Sequence, residues 1–199
     1  MLLNADECQL ILIDYQARLM PAIDRGQAVL DNALRLARIA RELGVPVWGT
    51  EQMPERLGEN DAALKALCDD TVQKTCFSAA EVLLPLLFPK PKAPAGNARS
   101  LPRHLQKTAQ TPARTRETLI LAGCEAHVCL LQTALALGDE HEVWVVTDAC
   151  GSRTERNRDA AFDRLASTGV ELVTTEMVGF EWLADARHPA FKAWQGMIR

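Results

Sequence analysis

Six short runs of apolar, strand-type residues, separated by longer segments of helical period, leave this 199-residue chain few folds to adopt. The runs are 9–14, 46–50, 71–75, 118–122, 142–147 and 171–175. The first reads Gln-Leu-Ile-Leu-Ile-Asp, with no polar alternation. A strand of that composition is buried on both faces, which is the condition of a parallel sheet covered by helices. The intervening segments supply those helices. Between 28 and 43, apolar residues recur at 29, 30, 33, 34, 36, 37, 40 and 43, and Gly44 is placed to stop the helix. Two further helices are expected over 130–137 and 156–167. Strand and helix alternating in this order predict a three-layer α/β/α, Rossmann-like fold with a mostly parallel six-stranded sheet. Right-handed crossovers then bring every strand's carboxyl end to one edge.

That edge is where chemistry is expected, and three residues are candidates for it. Asp14 directly follows four apolar residues. A carboxylate at such a point serves either as a functional group or as a cap for the next turn. Cys129 follows the fourth strand and is expected to open the next helix. The helix start favours a thiolate there, and the competing reading is an inert core thiol. Lys74 ends the third strand; a lysine in that position is ordinarily solvated, and alone it supports no more. Together, a thiol, a carboxylate and an ammonium suit acyl-transfer chemistry.

Other classes are disfavoured. Net charge is −4, so nothing global points to nucleic acid or to an anionic membrane. No apolar stretch approaches bilayer length. The first residues lack the basic start of an export signal, and the six cysteines show no C-x-x-C spacing, so reduced thiols in a cytoplasmic setting are expected. The four histidines, 104, 127, 141 and 188, have no zinc-site spacing, and no metal is expected. Neither G-x-x-x-x-G-K-[ST] nor G-x-G-x-x-G occurs, so no nucleotide cofactor is expected. Segment 89–116 departs from the pattern. It holds five of the ten prolines and seven Lys/Arg with no Asp or Glu, leaving the rest of the chain at −11. It is read as a surface excursion from a single domain spanning 1–199. The bland form of that reading is a solvated loop; the sharper form is a lid or a partner-binding arm.

Several spaced motifs also occur in a telling order: IDYQ at 13–16, TEQ at 50–52, KTCFS at 74–78, GCEAHVC at 123–129 and DACGSR at 148–153. VTTEMV at 173–178, FEWL at 180–183 and HPAFK at 188–192 follow. In these the chain resembles the isochorismatase-like cysteine hydrolases, most of all the isochorismatase-domain-containing branch. The resemblance covers nearly everything except 89–116. It implies an Asp–Lys–Cys triad with Asp14 as base, Lys74 as electrostatic partner and Cys129 as nucleophile. It also implies a non-proline cis peptide between Cys124 and Glu125, aiming the N–H groups of Glu125 and Cys129 at an oxyanion. Gln16, Gln52, Phe77 and His127 are expected to contact a small-molecule substrate, and a homo-oligomer is expected. Nicotinamidases are similar but carry metal-binding histidines after the second strand, where this chain reads EQMPERLG. True isochorismatases lack the nucleophilic cysteine. The activity implied is metal-independent hydrolysis of a small amide-like C–N bond. A catalytically weak scaffold or binding protein of the same fold is the alternative.

Overall fold

The computed structural model describes residues 2–89 and 116–198. Its six strands are β1 (Cys8–Ile13), β2 (Val47–Gln52), β3 (Asp70–Lys74), β4 (Thr118–Gly123), β5 (Glu142–Val146) and β6 (Glu171–Val173). All pair in parallel, in the order β3-β2-β1-β4-β5-β6. This is the doubly wound arrangement anticipated above. Its strand order reverses between β1 and β4, which opens a crevice beyond their carboxyl ends.

Burial explains the apolar runs. Every residue of β1 is buried, as are the last five of β4. The close approach of these two strands depends on Gly123, where a Cβ would fall 2.5 Å from the Ile13 carbonyl oxygen. Helix α1 (Gly26–Glu42) buries Val29, Ala33, Leu36, Ala37 and Ala40, one face at helical spacing. It stops as its sequence predicts. Gly44 adopts φ 68°, with its N–H on the Arg41 carbonyl and the Val45 N–H on that of Ala40. That pair of bonds closes the last turn around a left-handed residue, which glycine occupies at least cost.

Short helices α2 (Pro54–Leu57) and α3 (Ala62–Lys65) follow β2, and α4 (Ala80–Leu87) follows β3. Helices α5 (Leu131–Gly138) and α6 (Glu155–Ala166) follow β4 and β5, and α7 (Thr175–Leu183) and α8 (Phe191–Met197) close the chain. Helix α7 packs on α1, while α4 and α6 pack on α5, giving a helical layer on each face. Strand β6 is shorter than 171–175, because Thr174 already caps α7 through its side chain.

One local expectation is corrected. Cys129 does not open its helix. A π-helical turn, Ala126–Leu130, precedes α5 and contains the thiol near its end. Apolar content alone could not place that start, because Ala126 and Val128 suit loop and helix equally. Residues 90–115, nearly all of the basic excursion, lie outside the described residues.

The buried thiols make stability sensitive to alkali. Burial pushes Cys8 up to about 11 from its ordinary 9.0, and raises Cys124 and Cys150 further. Between pH 9 and these values the unfolded chain releases protons that the native state keeps. Stability is therefore complete below pH 9 and falls above it, by about 1.4 kcal/mol per pH unit for each such thiol. Urea midpoints should drop clearly between pH 8 and pH 10; equal midpoints would refute this.

Candidate functional site

The carboxyl ends of β1, β2 and β3, with the turn after β4, converge on one cluster. Asp14 is the first residue beyond β1 and adopts φ 55°, a left-handed conformation uncommon outside glycine. Its side chain is fully buried. Lys74, the last residue of β3, reaches across β2 and donates to Asp14 Oδ2 at 2.7 Å, its side chain being 1% exposed. Thr50 Oγ1 donates to Asp14 Oδ1 at 2.7 Å. A buried pair this well hydrogen-bonded offsets much of the cost of taking two charges out of water.

Cys129 completes the cluster. Asp14 and Lys74 both act on its thiol, the carboxylate raising its titration and the ammonium lowering it. It is 6% exposed, the open fraction that a nucleophile needs. Sequence position suggested a thiolate favoured by a helix start. The environment dictates the opposite. Burial first, and the Asp14 charge second, push the thiol up to about 12, and the Lys74 ammonium only partly counters them. That direction favours a protonated thiol beside the carboxylate.

The turn bearing Cys129 is held from several sides. The Cys124–Glu125 peptide is cis, at the bond that the family resemblance indicated. Ala126 N donates to the Gly151 carbonyl, and Gly151 N to that of Gly123. The Glu125 carboxylate accepts from Arg153 N and Nε at 3.0 and 2.9 Å. Thr133 Oγ1 donates to the Cys129 carbonyl at 2.7 Å and accepts from Ala79 N, tying the turn to the segment that follows Lys74.

The remaining candidates divide. Gln16 is fully buried; its amide nitrogen donates to the Gln52 and Gly58 carbonyls, and its oxygen accepts from Gln52 N. Gln52 is buried too, its oxygen accepting from Lys74 Nζ at 2.8 Å and its nitrogen donating to the Thr75 carbonyl. Both carboxamides are engaged with protein groups. Phe77 is 55% exposed, three residues beyond Lys74. His127 pairs through Nδ1 with Ser152 Oγ at 3.0 Å. It turns toward the loop after β5, whereas Cys129 turns toward Asp14.

Sequence reasoning missed the contacts made by Thr50 and Thr133. Thr50 lay within a quoted motif, yet its role depends on the register Ile13↔Thr50, which sets it beside the end of β1. Thr133, four residues after Cys129, carries the spacing at which a hydroxyl bonds back along a helix.

A hollow of about 420 Å³ between Arg25, Asn32, Asp148 and Phe162 shares no lining residue with the thiol cluster. Among the described residues no group of three or more His, Cys, Asp or Glu side chains is arranged to hold a metal ion. None of the helices there is long and apolar enough to cross a membrane.

Comparison with known proteins adds an independent line. A family model, the isochorismatase domain, matches residues 8–177. Isochorismatase domain-containing protein 1 of Danio rerio is 36% identical over 187 residues, covering 94% of this chain and 59% of that protein. Isochorismatase domain-containing protein 2A of Mus musculus is 34% identical over 191 residues, covering 96% of this chain and 82% of the mouse protein. Among solved structures, the MAR1 ribonuclease from Caenorhabditis elegans matches with a TM-score of 0.82 at 28% identity, covering 100% of this chain and 92% of its own.

Proposed function

Because the chain belongs to the isochorismatase family, we propose that it is a metal-independent cysteine hydrolase that cleaves a small amide-like C–N bond through a thioester on Cys129. The observation that carries this reading is a single thiol set against a buried, fully hydrogen-bonded carboxylate–ammonium pair at the sheet's switch point. That constellation has what acyl transfer requires: a nucleophile, a base within reach, and a fixed positive charge.

The cycle follows from the protonation states. With the thiol held protonated, proton removal and attack are coupled. Asp14 takes the thiol proton as sulfur bonds to the substrate carbonyl carbon. The oxyanion is received by the backbone N–H groups of Glu125 and Cys129. The tetrahedral adduct collapses, the C–N bond breaks, and the proton on Asp14 passes to the departing ammonia or amine. Water, deprotonated by Asp14, attacks the thioester; an acid leaves and the thiol is restored. Lys74 holds the Asp14 carboxylate in place through their 2.7 Å ion pair and supplies a fixed positive charge. Phe77 is assigned to the substrate's surroundings, the enzyme working in a reducing compartment as a homo-oligomer.

A scaffold of the same fold would not need an intact buried triad. The description of the worm protein as a ribonuclease belongs to that protein, and a chain of net charge −4 is poorly suited to a polyphosphate. The test is a screen of small amides, ureides and carbamoyl compounds for ammonia release, with RNA as a further arm. Ammonia from at least one amide-class compound is expected, with RNA left intact. A well-folded protein inert toward the whole set would favour the scaffold; RNA cleavage would favour phosphoester chemistry.

A further inference from the structure

The Lys74 ammonium has three N–H donors and three oxygen acceptors within hydrogen-bond distance. Asp14 Oδ2 at 2.7 Å and Gln52 Oε1 at 2.8 Å take two. The third has only the Cys76 carbonyl, at a long 3.4 Å, while the ammonium's charge also acts on the Cys129 thiol. Held only by that long contact, the third N–H is the least committed and is left to follow charge as it develops on the sulfur. What confines the other two therefore decides how much of the ammonium's field the thiol feels.

Asp14 is an obvious partner. Gln52 is not, and its orientation is dictated at every atom. Lysine only donates, so the Gln52 atom facing Lys74 must be the amide oxygen. The Thr75 carbonyl only accepts, so the atom facing it at 2.6 Å must be the amide nitrogen. Gln16 extends the same logic one step back. Its nitrogen meets the carbonyls of Gln52 and Gly58, and its oxygen takes the Gln52 N–H at 2.8 Å. Both side chains are buried, at 0% for Gln16 and 7% for Gln52. A carboxamide spent in this way has little left to offer a substrate.

We infer that Gln52, oriented by Gln16, is a positioning residue that anchors the Lys74 ammonium between Asp14 and the Cys129 thiol, rather than a substrate contact. Its neutrality is the essential property. A neutral acceptor holds the ammonium without cancelling its charge, leaving one positive field to act on both Asp14 and the sulfur. A carboxylate in its place would share the ammonium between two anions and weaken that field at the thiol. The inference deepens the hydrolase reading and rests on it for catalytic meaning, yet the geometry can be tested without a substrate.

The experiment measures iodoacetamide alkylation of the Cys129-containing peptide in the substrate-free protein, from pH 7 to pH 10, for wild type, Gln52→Glu and Gln52→Met. Melting curves confirm folding. Gln52→Glu should alkylate about tenfold more slowly than wild type at pH 8, corresponding to a thiol titration moved about one pH unit upward. Gln52→Met removes the acceptor without adding charge, so it should alkylate at least as fast as wild type. Where a substrate has been found, Gln52→Glu should lower kcat with KM nearly unchanged. Equal alkylation of all three proteins, or a change confined to KM, would overturn the inference and return Gln52 to the substrate. Absence of any turnover would count against the hydrolase reading alone, because the alkylation result stands without it.

Discussion

Replacing Cys129 with alanine should abolish hydrolysis, by roughly 10⁴-fold or more, the scale on which loss of a covalent nucleophile acts. The fold should persist. The side chain is small, and the Thr133 hydroxyl that braces this turn bonds the Cys129 carbonyl rather than its sulfur. Cys124→Ala makes the matched comparison. Cys124 is fully buried between β4 and the loop after β5, and its bridge to Gly151 is a backbone one. That variant should cost stability yet keep most of the turnover per folded molecule. Trapping the acyl-enzyme by intact-mass spectrometry after a rapid acid quench checks the same step directly. An adduct on Cys129 is expected, and an equally dead but well-folded Cys124→Ala would require a two-thiol mechanism instead.

The second large effect is on stability. Lys74→Met leaves Asp14 as a buried carboxylate facing only Thr50 and a protonated thiol. Removing one member of a buried pair costs about 3–5 kcal/mol, since the remaining charge keeps its desolvation cost and loses its partner. Such a loss is a large share of a typical domain's stability. Asp14→Asn in the same chain should recover part of the loss at neutral pH, the two changes being strongly non-additive. Urea unfolding of the two single variants and the double variant measures this. A Lys74→Met protein as stable as wild type would mean that the pair carries little energy.

The two predictions draw on different kinds of information. That Cys129, Asp14 and Lys74 belong together was legible in the chain: each ends or follows a strand-like run, and parallel strands with right-handed crossovers deliver such residues to a single edge. The same reasoning reached the buried central strands and the glycine stop of α1. It did so because apolar period and a left-handed turn are local properties, decided within a few residues.

The protonation state of the thiol was not legible. Proximity to a helix start argued for a thiolate, but a titration depends on everything within several ångströms. Here burial and the Asp14 carboxylate outweigh Lys74. Nor could the chain reveal that Gln16 and Gln52 are spent on internal hydrogen bonds. Their motif positions suited substrate contact equally well, and only the pairing of Gln52 with Lys74 across the β2–β3 register distinguishes the two uses. The sequence by itself determined the layered parallel fold and the edge at which its reactive residues meet, because strand period and crossover handedness need no long-range detail. Tertiary structure alone decided which of those residues face one another, at what distance and in what charge state, because register, burial and electrostatics are properties of the assembled core.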